Sequence, residues 1–331
     1  MKKYDVIALG ELLVDFTMNG TSEQGNPLFE ANPGGAPCNV LSMLQQLGKR
    51  TAFIGKVGND SFGRMLRDAV LRQGINISNL VMDKEVPTTL AFVYTASGGE
   101  RSFSFYRNPG ADMMLRKEEV NVSVLKDTKI FHFGSLSMTD ENIEDVTRMA
   151  VGMAKEGGAL ISFDPNFRSP LWGSLEKAKE KIAYGISQCH ILKISDDEIE
   201  FFTETTDIDE GVARIQKEFN PPFICATMGG LGSRVYYHGE RVECGPFICE
   251  NTIETTGAGD TFMACVLNMI LENGWDRMNE KKLYEMLEFA NAAASIITTK
   301  KGALKVMPDR TDVLALIEEV KKNERNRNIV G

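Results

Sequence analysis

The stretch Gly157-Gly158-Ala159-Leu160-Ile161-Ser162-Phe163 decides the fold. Ahead of it, residues 139–156 carry apolar side chains at helical spacing, and the paired glycines stop that pattern. Behind it comes a short, nearly continuous apolar run of the kind buried on both faces of a sheet. The same alternation recurs in both directions along the chain. Val6-Ile7-Ala8-Leu9, Thr51-Ala52-Phe53-Ile54, Lys129-Ile130-Phe131-His132-Phe133, His190-Ile191-Leu192-Lys193-Ile194 and Phe223-Ile224-Cys225-Ala226 read as further central strands. Helical patterns over 60–73 and 174–184, stopped at Gly74 and Gly185, lie between them. Strands alternating with helices predict an α/β protein of three layers, α/β/α, around a mostly parallel sheet, with ligands at the carboxyl ends of the strands. Only the end, 321–331, reads as loose.

One segment breaks the alternation. Residues 88–95 and 101–107 are β-rich runs joined by Ala96-Ser97-Gly98-Gly99-Glu100, a hairpin by its turn chemistry with no helix between its strands. With the stretch 11–29 it is expected to form a small sheet projecting from a single domain that spans 1–331, the excursions covering about 11–33 and 86–112. Such a sheet either closes over a site as a lid or is a plain edge hairpin.

Composition fits a soluble enzyme without naming one: 331 residues, 43% hydrophobic and 25% charged, can bury one large core or two modest ones. The formal charge of −9 argues against nucleic-acid or anionic-membrane partners, either of which needs a basic face. Six cysteines are scattered without C-x-x-C or zinc spacing and read as reduced thiols. The apolar run 6–9 is too short for a signal sequence and no stretch reaches membrane-spanning length, so a cytoplasmic location is expected.

Two glycine-rich loops open helices. Thr255-Thr256-Gly257-Ala258-Gly259-Asp260 precedes the apolar run 262–271. Unobstructed backbone N–H groups at such a turn form a cup for an anion, and the helix dipole adds positive potential. A carboxylate beside a cup that holds a phosphoryl group can take the proton of an attacking hydroxyl. A capped helix with a glycine-rich turn would look the same. Asn32-Pro33-Gly34-Gly35-Ala36-Pro37-Cys38-Asn39 opens the second helix, where Asn39 can offer its amide to a ligand hydroxyl.

Together the two motifs resemble those of the ribokinase-type sugar kinases, the pfkB carbohydrate kinases, in order and spacing, and the resemblance runs from about residue 4 to about 308. It implies a ribokinase-like, Rossmann-like fold whose small sheet is a lid, with ATP and Mg2+ as nucleotide and metal. In the transfer centre it implies Asp260 as general base, Gly257, Ala258 and Gly259 as the anion hole, and Arg168, in Asp164-Pro165-Asn166-Phe167-Arg168, between sugar and transferring phosphate. Asp15, Gly34, Gly35 and Asn39 match the family's sugar-binding positions. Phe105-Tyr106-Arg107-Asn108-Pro109, followed by Ala111-Asp112, is most similar to fructokinases and implies Phe105 and Arg107 on the sugar. The 2-keto-3-deoxygluconate kinases carry Arg at the same place.

Ser195-Asp196-Asp197-Glu198 stands where the family has Asn-x-x-Glu, implying nucleotide contacts from Ser195 and Glu198, with Glu198 reaching magnesium through a bound water. Asp196 and Asp197 read as an acidic first helical turn. Thr227-Met228-Gly229-Gly230-Leu231-Gly232 resembles the nucleotide loop through Thr227, Gly229, Gly230 and Gly232, and Asn291, inside a helix expected over 284–297, matches a position beside adenine. No Walker-type P-loop is present. The family's potassium site is an expectation with two departures, Glu254 in place of Asp and Val306 in place of a serine. Lids of this family pair between subunits, which implies a homodimer. The expected activity is ATP-dependent conversion of fructose to fructose 6-phosphate; the alternatives are a 2-keto-3-deoxygluconate kinase, a ribokinase, or a catalytically silent sugar sensor.

Overall fold

The computed structural model describes residues 2–95, 101–249 and 251–330. The chain opens with β1 (Tyr4–Leu9), leaves through the hairpin of β2 (Leu13–Thr21) and β3 (Pro27–Gly34), and returns by α1 (Ala36–Gln46) to β4 (Thr51–Gly58), α2 (Ser61–Arg72) and β5 (Asn76–Asp83). A second excursion, β6 (Leu90–Thr95) and β7 (Arg101–Tyr106), is followed by the one-turn α3 (Val122–Leu125). Regular alternation resumes with β8 (Thr128–Gly134), α4 (Glu141–Glu156), β9 (Leu160–Asp164), α5 (Leu175–Gln188) and β10 (Ile191–Ser195). Helices α6 (Asp196–Thr203) and α7 (Ile208–Phe219) lead to β11 (Phe223–Thr227), β12 (Ser233–Tyr237) and β13 (Glu240–Cys244). The chain then finishes in α8 (Ala258–Asn273), α9 (Glu280–Ile297) and α10 (Arg310–Val330).

Among the described residues, nine strands make one sheet in the order β13-β12-β11-β10-β9-β8-β1-β4-β5. It is parallel from β11 to β5, with β12 and β13 antiparallel at one edge. Burial follows the two-residue period of a strand covered on both faces. Val6 and Ala8 of β1, Ile191 of β10 and Phe223 and Cys225 of β11 join α1, α2, α8, α9 and α10 in one core. Ile7 and Leu9, Leu192 and Ile194, Ile224 and Ala226 join α4, α5, α6 and α7 in the other. That is the expected three-layer α/β architecture. Strand order reverses at β1, flanked by β4 on one side and β8 on the other, which opens a crevice at their carboxyl ends.

The excursions form a separate four-stranded sheet, β3-β2-β6-β7. Its registers place Asp15 opposite Ala91 and Ala91 opposite Phe105, so these three share one face. Phe16 and Phe92 occupy the other face, stacked at 4.8 Å, with Phe16 edge-on to Phe62 of α2 at 5.5 Å. The expected turn at 96–100 lies outside the described residues.

Four expectations are corrected. Gly185 does not stop a helix: α5 continues to Gln188, because a side chain at 185 would collide with the ring of Phe163 on β9 and glycine there lets helix and sheet close together. Asn32, Pro33 and Gly34 end a strand rather than form a loop. The segment expected to be loose is helical through Val330, as α10 lays Val313 and Ile317 on the core. The helix expected over 284–297 begins earlier, at Glu280, where the Asn279 side chain accepts from Lys282 N and caps it. All six cysteines are free thiols.

Candidate active site

A cleft of about 840 Å³ opens at the carboxyl ends of β1, β8, β9, β10 and β11, between the main sheet and the inner face of the small one. Its floor is the start of α8. Gly257 caps that helix with φ 77°, a left-handed backbone that glycine adopts without strain, and among the described residues no side chain caps it by a hydrogen bond. The first-turn amides of a helix have no acceptor within it, and the dipole points its positive end at the cleft. Ala258 N donates to Thr255 O at 3.2 Å, so of the three anion-hole residues Ala258 already spends its amide in the turn.

One turn in stands Asp260, 9% exposed, whose Oδ2 accepts from Asn39 Nδ2 at 2.9 Å. The two glycine-rich motifs, 221 residues apart, therefore meet at one hydrogen bond. Burial raises the pKa of Asp260; the Asn39 bond and the charges of Lys193 and Arg168 oppose but do not cancel that rise. Asn39 Oδ1 is buried without a protein partner, an acceptor left for a donor from elsewhere.

Asp15 and Glu11 line the same end of the cleft. Each is pushed up to about 7, first by burial; for Asp15, Arg168 pulls down while Glu254 and Asp260 push up. Glu11 Oε1 accepts from Ala36 N at 2.9 Å at the start of α1. Phe105, Val93 and Leu136 supply apolar wall, and the exposed Arg168 lines the cleft from the loop after β9. Gly35 lines the cleft; Gly34 lies beneath Asp15 and does not.

Arg107, expected on the sugar, is buried elsewhere. Its Nε and Nη2 hold Asp112 Oδ2 at 2.8 and 2.7 Å, Nη1 donates to Thr139 Oγ1 at 2.8 Å and Nη2 to Leu136 O at 3.0 Å. A guanidinium desolvated to that degree is held by its partners and braces β7 against the turn after β8.

The far end of the cleft is lined by Thr227, Gly229, Gly230 and Gly232 after β11 and by Phe247, Ile248 and Asn291. The amide of Asn291 is occupied: Oδ1 accepts from Ser233 Oγ at 2.9 Å, and Nδ2 donates to Gly245 O at 3.0 Å and Cys244 O at 3.2 Å. Ser195 and Glu198 form a capping box at α6, and Glu198 also accepts from Phe167 N at 2.8 Å, which ties the loops after β9 and β10. Asp196 and Asp197 form the acidic first turn of α6, as read from the sequence, and also line the cleft. Glu254 Oε1 accepts from Gly302 N at 2.6 Å and so fixes the loop between α9 and α10.

Two residues escaped the sequence reading. Lys193 of β10, 6% exposed, lines the cleft with Nζ 3.2 Å from both carboxylate oxygens of the buried Asp164 on β9. The available signal was a lysine inside an otherwise apolar central strand, where a charge is tolerated only with a partner or a purpose.

The profile of the pfkB family carbohydrate kinases matches residues 3–310. The chain belongs to this family. It is 40% identical over 318 residues or more to similar plant proteins, among them fructokinase-1 of Zea mays, matched over 95% of this chain and 98% of the relative. Among solved structures it is similar to a fructokinase of Xylella fastidiosa with bound ATP, at TM-score 0.86 and 30% identity, over 96% of this chain and 99% of the other. A fructokinase of Vibrio cholerae O395 with fructose, ADP and calcium bound matches at TM-score 0.85 and 28% identity, over 95% and 99%.

Proposed function

We propose that the protein transfers the γ-phosphoryl group of ATP to the terminal hydroxymethyl group of fructose, giving fructose 6-phosphate and ADP. The observation that carries this reading is the buried pair of Asp260 and Asn39 beside the open start of α8: a base and an anion seat within one turn of α8, met by a hydroxyl acceptor from α1. The sugar lies between the small sheet and the loop after β9, with Asp15 and Asn39 on its hydroxyls and Phe105 on its apolar face. Asp260 takes the hydroxyl proton, the Gly257 and Gly259 amides face the transferring group, and Arg168 offsets charge developing on it.

Among the described residues, nucleotide phosphates entering this cleft meet the acids Glu11, Asp15, Asp196, Asp197, Glu198 and Asp260 but only Arg168 and Lys193 as cations. A divalent cation fits that imbalance. No three His, Cys, Asp or Glu among the described residues are arranged to hold one directly, which suits Mg2+ carried by nucleotide phosphates and water near Glu198. When bound it supplies charge neutralisation and template geometry for the phosphates. Closure of the small sheet as a lid excludes water from the transfer.

Fructose is favoured over a keto-deoxy acid because the second guanidinium a carboxylate would need, that of Arg107, is spent on Asp112. The same reading includes a homodimer through the small sheet, supported by Met18 and Tyr106 exposed on its outer face, and a cytoplasmic location; no described helix is long and apolar enough to cross a membrane. Light scattering tests the dimer, and equal turnover in sodium-only and potassium buffers would remove the potassium site. The test of the activity is ADP release with Mg-ATP across fructose, ribose, 2-keto-3-deoxygluconate, tagatose, glucose and adenosine. Preference for fructose is expected; preference for the keto acid reassigns the substrate, and silence across the panel returns the chain to a sugar sensor.

A further inference from the structure

Register places Lys193 and Asp164 side by side. Ser162 of β9 stands opposite Ile191 of β10 and Phe163 opposite Leu192, so Asp164 and Lys193 are the next cross-strand pair. By the two-residue period Lys193 shares the face of Ile191, the face covered by α8 and α9. Its stem runs to the start of α8, where Nζ is 3.2 Å from the position a Cβ of Gly259 would take. A buried ammonium thus stands directly over the anion seat, with the glycine making room for it.

The fold holds a second buried pair for comparison. Arg107 and Asp112 close to 2.7 and 2.8 Å, the spacing of a tight charge-assisted contact, about 2.7–2.9 Å. Lys193 sits back at 3.2 Å from each oxygen of Asp164. Burial disfavours the ammonium, but Asp164, Glu198 and Asp260 hold its pKa up, so the charge is kept. Three donors and one loosely held counter-ion leave donor capacity facing the cleft.

We propose that Lys193 donates to the γ-phosphoryl group seated at the start of α8 and keeps that contact through transfer, with Asp164 as its counter-ion when the seat is empty. The proposal rests on the kinase reading above. In that reaction the acceptor oxygen forms the new bond to phosphorus, its proton passes to Asp260, and the bond from the γ-phosphorus to the bridging oxygen breaks with its electron pair leaving on ADP. Lys193 forms no covalent bond. Its fixed charge is worth most where water is excluded and phosphoryl charge is moving, which makes it a catalytic residue.

The test compares Lys193→Met, Asp164→Asn and the double variant with the wild-type enzyme. Lys193→Met alone leaves a buried carboxylate without its cation and is expected to melt lower; the double variant removes both charges and is expected to recover the melting temperature and wild-type affinity for ADP. Its kcat should remain about 100-fold below wild type. A double variant that recovers turnover to within a few-fold would overturn the proposal and make the pair structural. Should the double variant fail to fold, Lys193→Arg, which keeps the charge, decides: turnover at least tenfold above that of a folded Lys193→Gln supports the contact, and equal turnover of the two overturns it. Wild-type enzyme without turnover on any sugar would instead sink the kinase reading itself.

Discussion

Helices α1 and α8 both begin at a glycine facing the same cleft, yet only one is open to an anion. At α1 the Ala36 amide donates to Glu11 Oε1 at 2.9 Å, and Pro37 in the first turn has no N–H to give. The chain has answered the positive end of that helix with its own acid. At α8 the cap is bare Gly257, and the acid of the first turn, Asp260, is turned to Asn39. The difference separates two meanings of one sequence pattern: a glycine before a helix marks an anion seat only where no carboxylate of the fold already occupies it.

The sharpest break of this contrast is Asp260→Asn. It keeps the Asn39 contact in reach and removes the base, so kcat should fall by about 1,000-fold while calorimetry still detects sugar binding. Unchanged turnover would remove Asp260 as base. Next in size, Asp15→Asn should lower kcat/KM for the sugar by about 10- to 100-fold by removing a charged acceptor of hydroxyls, with ADP affinity unchanged. Because Asp15 is held near 7 by burial, it is protonated below that pH, and KM for the sugar is expected to rise as pH falls from 8 to 6. A flat KM over that interval would contradict the assignment.

Gly259→Ala puts a methyl group against Lys193 Nζ and into the seat at α8; turnover should drop by about tenfold, with little change in melting temperature. The smallest effect belongs to Glu11→Gln at α1. The folded pKa of Glu11 lies near 7, above its unfolded value, so its buried carboxyl costs nothing below the unfolded value, and the cost grows as pH rises towards 7 and is complete above it. The amide should therefore raise the melting temperature by about 2 °C at pH 8, and by less at pH 6, while KM for ATP stays within about twofold. A large loss of ATP affinity in Glu11→Gln would erase the distinction between the two helix starts.

The strands were legible because a sheet covered on both faces leaves a continuous apolar signature, and the small sheet because its hairpin lacks a helix. Gly185 misled because a stop and a close approach look alike in one dimension; the Phe163 ring that demands glycine there is 22 positions away on another strand. Arg107 misled for a related reason. Its neighbours in sequence are aromatic and suit a sugar, but its partners Thr139 and Leu136 arrive from the turn after β8. Asp260 and Asn39 were each legible as motifs, whereas the bond between them, and the ammonium of Lys193 over the seat, exist only once β10, α1 and α8 are packed together.

On the proposed function, the start of α8 seats a phosphoryl group for transfer to the terminal hydroxymethyl of fructose. The most direct measurement is 31P and 13C NMR of the product formed from fructose and Mg-ATP by the wild-type protein and by Asp260→Asn. A phosphomonoester at carbon 6 in stoichiometric amount with ADP is expected for the wild type and none above background for the variant. Phosphate at another carbon, or an equal yield from both proteins, would contradict it.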